Sequence, residues 1–346
     1  MTALSKRAVF LDDPPFRTRL KRPLQLAATL LVSALALTYI LLRIDVQRTL
    51  RILGHADLRW VGVSAASILV MIVPMAWRWK KLLRVRGIDE GVAWLARAYL
   101  VGYAVGQVLP TSVGGDASRI YETARRHPGQ VSPIAGSVLL ERAIGGAVTV
   151  LLAAIGFLLA IGRYPIGTYL WIELLFVFGT VALGVVFFSR LARARLVFAV
   201  PLARRLRVER LARAVYEGIH GYRSHPGILG VVSAATGVVQ LGGIFSIYAA
   251  GRAVGIHLSL LPYVVLGPLL FLIMLVPFTI NGLAVREAFF VSFLGNLAVA
   301  PDAAFACGFL YFVITLALAL PGLAVIVWEG VRSARPAAGS PSSLNE

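Results

Sequence analysis

Residues 110–119 read P-T-S-V-G-G-D-A-S-R, and residues 277–286 read P-F-T-I-N-G-L-A-V-R. In each stretch a proline is followed five residues later by a glycine and four residues after that by an arginine: Pro110, Gly115, Arg119 and Pro277, Gly282, Arg286. The two stretches lie 167 residues apart, close to half of the 346-residue chain. Each interrupts a long apolar run with residues that end a helix and turn the backbone, then adds a charge. Broken helices at corresponding points of two halves are the pattern of an inverted-topology repeat, with a binding site between the halves. Two unrelated loops with helix-ending Pro and Gly would leave the same trace.

The surroundings of both stretches are membrane-like. Hydrophobic residues make up 58% of the chain and charged ones 14%, with a mean hydropathy of +0.81. A soluble domain is typically about 45–50% apolar and about 25% charged, so an ordinary water-soluble globule is excluded. Lys and Arg total 34 against 16 Asp and Glu, a net charge of +18. The basic residues fall between apolar runs and form no aromatic-interleaved surface, so nucleic acid is not an expected partner. Cys307 is the single cysteine, which rules out a disulfide within the chain and a cysteine metal cluster. The five histidines show no metal-ligand spacing, and there is no Walker loop, Rossmann fingerprint or nucleophile elbow. No cofactor is expected, and no enzyme signature is recognisable.

A bilayer-spanning helix needs about 20 mostly apolar residues. Clean runs cover 24–42, 60–77, 143–161, 168–189, 228–250, 258–276 and 304–328, while 92–109 contains Arg97 and 284–299 contains Arg286 and Glu287. Trp60, Trp77, Trp79, Trp171 and Trp328 fall at expected ends, where an indole favours the headgroup layer. The first run follows six basic residues, exceeds a signal-peptide h-region of ~7–15 residues and lacks a small-residue cleavage site, so it reads as an uncleaved span.

The Lys/Arg bias sets orientation. The N-terminus, the loop with Arg78, Lys80, Lys81, Arg84 and Arg86, and the nine basic residues of 190–223 are expected in the cytoplasm, with 161–167 outside. Residues 92–142 must then return to their own face, and Pro110, Gly114, Gly115 and Pro133 favour a re-entrant hairpin over two tight spans. The expected fold is all-α: a polytopic integral membrane protein of about eight transmembrane helices plus a re-entrant element, with an inverted repeat and both termini inside. A basic N-terminus (1–23) precedes one transmembrane domain (24–330), whose halves are 24–189 and 228–330, joined by a basic connector (190–227). The Ser/Pro/Ala-rich tail (331–346) is expected to be disordered. Within the connector, 202–222 reads as a basic amphipathic helix for the anionic inner leaflet, or as a loop that only sets topology.

A charge at the bilayer centre costs at least ~2.5–3.5 kcal/mol on the insertion scale, so intramembrane ions pair or face a cavity. The candidates are Asp116 with Arg119, Glu141 with Arg142, and Arg286 with Glu287, joined by the polar Gln107, Gln240 and Asn281. Gly114, Gly115 and Gly282 free the backbone to turn, and the following helix start offers N–H groups and a positive dipole end to an anion. An arginine one turn on supplies a planar donor for phosphate or carboxylate. The alternative is structural ion pairs at the interface. Glu173 and Glu329 read as solvated helix ends.

The stretches G-Q-V-L-P-T-S-V-G-G-D-A-S-R at 106–119, E-R at 141–142 and P-F-T-I-N-G-L-A-V-R-E-A at 277–288 resemble the lysylphosphatidylglycerol synthase transmembrane-region family, also called flippase-like, over about residues 24–330. In relatives this region is fused to a soluble aminoacyl-transferase domain and is implicated in moving the charged lipid between leaflets. Here the chain ends at Glu346, so the resemblance implies lipid handling without synthase activity. By resemblance, Pro110, Gly114, Gly115, Asp116, Arg119, Asn281, Gly282, Arg286 and Glu287 fall on the family's elements, with Glu141 and Arg142 beside them as substrate-binding candidates. The expected function is translocation, across the inner membrane, of an anionic phospholipid or polyprenyl-linked lipid. The alternatives are a membrane glycosyl- or aminoacyl-lipid transferase with Asp116 or Glu141 as base, and a non-catalytic partner anchoring a separately encoded lipid-modifying enzyme.

Overall fold

The computed structural model describes residues 44–108, 114–165, 167–188, 221–222, 224–275 and 284–334, together with Thr38 and Leu42. Most of the expected span 24–42, most of the connector, the tail beyond Ala334, and Pro110, Pro277, Asn281 and Gly282 lie outside the described residues, while 331–334, read from sequence as the start of a disordered tail, continue the last helix. Among the described residues every regular element is helical: α1 (Val46–Gly54), α2 (Leu58–Val85), α3 (Val92–Val108), α4 (Gly114–Arg126), α5 (Val131–Ala160), a 3₁₀ turn (Gly167–Tyr169), α6 (Leu170–Phe188), α7 (Pro226–Ala253), α8 (Leu261–Leu275), α9 (Val285–Gly295), α10 (Pro301–Ala317) and α11 (Leu320–Ala334). Among the described residues four stretches are long and apolar enough to cross a membrane: α2, α5, α7 and the stack Pro301–Glu329. The last is interrupted at Leu318–Ala319, because Pro321 lacks the N–H that would bond the Ala317 carbonyl and its ring crowds that carbonyl.

The frame is an antiparallel pair, α2 against α7. Ser64 meets Ser246 at 2.9 Å and Arg78 meets Thr236 at 2.9 Å. At one end of the pair the Asp57 N–H donates to the Ala253 carbonyl, and at the other the Tyr222 hydroxyl donates to the Leu82 carbonyl. The end holding Arg86 is called here the near end and the end holding Asp57 the far end.

Two helical hairpins enter this frame from opposite ends. The first is α3 and α4. Its entry residue Glu90 accepts from Arg126 Nε at 2.7 Å and lies 3.0 Å from His127 Nε2, so the chain leaves and returns at the near end. This is the re-entrant course that charge parity requires. The arms have 17 and 13 residues, about 25 and 20 Å, both short of a hydrocarbon core of about 30 Å. They touch backbone to backbone. A Cβ on Gly102 would come within 2.7 Å of the Gly115 carbonyl oxygen, and one on Gly115 would overlap the Gly102 carbonyl.

The second hairpin is α8 and α9, the region read from sequence as one clean and one interrupted span. Its described arms have 15 and 11 residues, about 22 and 16 Å. Both open at the far end. Tyr263 of α8 packs against Gly251 near the end of α7, and Ser292 and Asn296 reach Tyr169 at 2.7 and 3.5 Å. Around it lies the largest apolar cluster, built from α5, α7, α8, α9 and α10 and including Phe157, Ile244, Leu266, Phe290, Phe293 and Cys307.

Candidate functional site

The buried stripe of α2 contains Ala76, Arg78, Trp79, Leu82 and Leu83, a helical period on which an arginine stands among core residues. Sequence reading placed Arg78 in a cytoplasmic loop and Trp79 at the headgroup layer. The helix runs on to Val85 and buries both, with Arg78 7% and Trp79 0% exposed. Arg78 needs an acceptor there, and Glu141 of α5 supplies it: Arg78 Nη2 donates to Glu141 Oε1 at 2.6 Å, while Nη1 donates to Thr236 Oγ1 at 2.9 Å.

Glu141 is the hub. Its Oε1 also accepts from the Tyr99 hydroxyl at 2.5 Å, and its Oε2 accepts from Arg119 Nη1 at 3.1 Å. Arg119 sits on the returning arm of the first hairpin and donates through Nε and Nη2 to Asp116 Oδ1 at 3.0 and 2.8 Å. Its guanidinium lies against both Tyr99 and Trp79, at 4.4 and 4.9 Å from the ring centres, and the Trp79 indole N–H donates to Ser137 Oγ at 3.0 Å. Such cation–π contacts are worth about 0.5–2 kcal/mol each. Arg142 donates from Nε to Asp116 Oδ2 at 2.6 Å.

This network lies deep. Glu141 is ten residues inside α5 and Arg78 eight residues short of the cap Arg86, about 15 and 12 Å from the near end along a core of about 30 Å. It lines a cavity of about 350 Å³ with Arg78, Asp116, Arg119, Glu141 and Arg142 on the polar wall and Met75, Val239 and Phe271 elsewhere. Three arginines against two carboxylates give a formal charge of +1. Arg119 uses three of its five N–H groups on carboxylates. The half-exposed Arg142 uses only Nε among the described residues, which leaves its terminal nitrogens at the mouth. A second cavity of about 200 Å³, lined by Ile68, Met71, Ile72, Gly243, Tyr311 and Leu318, shares Met75, Tyr99, Tyr103, Val239 and Gln240 with the first. A polar chamber of positive charge thus opens beside an apolar one, the shape an amphiphile with an anionic head requires.

Arg286 and Glu287 are built differently. Arg286 donates to Glu287 Oε1 through Nε at 2.8 Å and Nη2 at 2.5 Å, and Glu287 Oε2 accepts the Ala284 N–H at 2.8 Å. Ala284 has φ 69° and ψ −42°, a sparsely populated geometry that costs on the order of 1–3 kcal/mol. The guanidinium lies 4.3 Å over the Phe312 ring. The pair is buried and is not part of the cavity wall.

Of the sequence candidates, Gly115, Asp116, Arg119, Glu141 and Arg142 converge on one cavity with Gln107 and Gln240. Gly114 is buried at the first position of α4. Sequence reasoning missed Arg78, Tyr99 and Thr236. The signal for Arg78 was its spacing from Trp79 and Leu82 on one helical face. Both carboxylates read as solvated ends are otherwise engaged: Glu329 clasps Arg97 with both oxygens, which also bonds Glu122 at 2.9 Å, and Glu173 is 2% exposed. Among the described residues no group of three His, Cys, Asp or Glu side chains converges as a metal site.

Comparison with known proteins agrees with the architecture. Residues 26–322 match the family described as the lysylphosphatidylglycerol synthase TM region. The chain is 32% identical over 149 residues to glycosyltransferase AglD of Haloferax volcanii, a match covering 40% of this chain and 24% of that protein. The matched part thus spans about a quarter of that relative's length. No solved structure matches the chain. The family match covers most of the sequence, so this multi-pass helical membrane protein belongs to the lysylphosphatidylglycerol synthase transmembrane-region family.

Proposed function

We propose that this family member is a lipid translocator that carries an anionic phospholipid or a polyprenyl-linked phosphate lipid between leaflets of the cytoplasmic membrane. The observation that carries the reading is the arginine-rich cavity at mid-membrane depth, net +1, contiguous with an apolar chamber. A headgroup entering it meets the free donors of Arg142 and Arg119, while Asp116 and Glu141 hold those arginines in place. The tails stay in the apolar chamber and the surrounding bilayer. The hairpins entering from opposite ends stand at corresponding points of the two halves of an inverted repeat, and rocking of those halves exchanges access between leaflets. The near end, with Lys80, Lys81 and Arg84, faces the cytoplasm by the positive-inside rule, and both termini lie on that side.

The test is leaflet redistribution of headgroup-labelled lipids in proteoliposomes. Wild type should accelerate one anionic lipid class. Arg142→Ala and Arg119→Ala should each abolish the acceleration, the second because losing one arm of a buried charge pair costs about 2–5 kcal/mol of binding. Correctly inserted variants that move every tested lipid at the wild-type rate would sink the mechanism.

A second reading, a membrane glycosyl- or aminoacyl-lipid transferase, draws on the partial similarity to a glycosyltransferase. Product formed by purified protein from a lipid acceptor and an activated donor, and lost in Glu141→Gln, would decide for it.

A further inference from the structure

Four carboxylates on the inward faces of the membrane helices have assigned partners: Asp116 with Arg119 and Arg142, Glu141 with Arg78 and Arg119, Glu287 with Arg286, and Glu329 with Arg97. Glu173 does not. It is the fourth residue of α6, only 2% exposed, and neither carboxylate oxygen has a hydrogen-bond partner among the described residues. Its place on the helix explains the burial. Tyr169, Ile172, Phe176 and Val177 all pack on the apolar cluster around the second hairpin, and Glu173 stands in the same stripe at helical spacing.

We propose that Glu173 is a proton-binding site, occupied while the second hairpin is seated and vacated when that interface opens to water. An ionised carboxylate held in apolar surroundings without a donor is far costlier than its neutral acid, so the seated conformation holds the proton. The groups around it offer no countercharge. The preceding turn presents Tyr169, whose hydroxyl is bonded to Ser292 at 2.7 Å. Helix α8 carries Tyr263, turned toward Gly251. On α5 the charged residues are Glu141 and Arg142, both engaged in the first site's network, and Glu141 lies about 13 Å along the axis from Val150, the first α5 residue of this cluster. On α9 the charges are the mutually paired Arg286 and Glu287 at the hairpin tip. On α10, Asp302 is held by the Asp45 N–H at 2.7 Å and by Arg48 at 3.5 Å, and Cys307 is buried against the Ile247 carbonyl. Arg163, in the connection before the turn, is exposed. Any movement of α9 away from Tyr169 admits water to Glu173 and lets the proton go to the far-end solution. Taken with the translocator reading, on which this part rests, that makes seating of the second hairpin depend on the pH of the far-end solution, from which the proton is taken up and to which it returns.

The test uses the full chain in vesicles of mixed zwitterionic and anionic phospholipid. Infrared spectra at neutral pH should show a protonated-carboxyl C=O band in wild type that is missing in Glu173→Gln. Redistribution of headgroup-labelled lipid should respond to a change of far-end pH, imposed as a gradient, in wild type and become indifferent to it in Glu173→Gln, with the variant retaining at least a tenth of the gradient-free rate. Identical spectra for the two proteins would overturn the proposal whatever the transport result. A lost band with wild-type flux that ignores the gradient would overturn the coupling. A lost band with no lipid movement at all in wild type would uphold the proton site and sink the translocator reading instead.

Discussion

The two hairpins carry the same Pro–Gly–Arg spacing, yet they build unlike centres. In the first, Arg119 reaches outward: its partners include Glu141 on α5, and through that carboxylate it is joined to Arg78 on α2. Five helices, α2, α3, α4, α5 and α7, share one polar network with a cavity beside it. In the second, Arg286 turns to its own neighbour Glu287, whose other oxygen caps the same helix start. That pair is self-contained. Identical spacing does not give the arginines the same place, since Arg119 is the sixth residue of α4 and Arg286 the second of α9, and the carboxylate within reach decides whether the site is open or sealed.

The largest contrast should come from deleting the carboxylates. Glu141→Ala strands two buried cations and a phenol, and is expected to destabilise by at least the upper part of the ~3–5 kcal/mol seen for breaking buried pairs. Glu287→Ala strands one cation and one N–H, and should fall nearer ~3 kcal/mol. Thermal unfolding in detergent ranks them, and the reverse order would break the comparison. Glycine substitutions come next. Gly102→Ala drives a methyl into the rigid Gly115 backbone, whereas Gly267→Ala in the second hairpin meets only the Ile244 side chain at 2.8 Å. The first should cost more than the ~1–3 kcal/mol typical of overpacking and the second less, by the same assay.

Arg142→Ala separates binding from stability. Its side chain is half exposed, so stability should change by no more than ~1 kcal/mol while lipid movement is lost. The smallest effect lies outside both hairpins. The hydrogen bond from Arg84, aided by the charges of Arg84 and Lys80, holds the exposed Asp89 carboxyl below its usual range against a small desolvation effect. A depressed carboxylate stabilises above its unfolded pKa and loses that contribution as pH falls through the folded value. Wild type and Asp89→Asn should therefore differ slightly at neutral pH and converge in acid, while the difference between wild type and Glu141→Ala persists.

Much of this was legible in the chain. Apolar length gave the long helices, and charge parity required residues 92–142 to come back to their own face, as Glu90 and Arg126 bear out. Asp116, Arg119, Glu141 and Arg142 were marked because an ion at membrane depth needs a reason. Arg78 was not, since a basic residue just past a tryptophan looks like a loop charge until the helix is known to continue for two more turns. Glu173 escaped for the same reason at the opposite end: position along a helix shows in sequence, while the packing that buries one of its faces depends on distant segments.

The ion network also sets an order of events during synthesis. Arg78 and Arg119 both leave the ribosome before Glu141, the carboxylate they share, and Thr236 follows 158 positions after Arg78. Until α5 emerges, the nascent first hairpin contains an arginine whose longer-range partner does not yet exist. Its arms are too short to span the bilayer, so the hairpin's buried charges are fully paired only once α5 is in place.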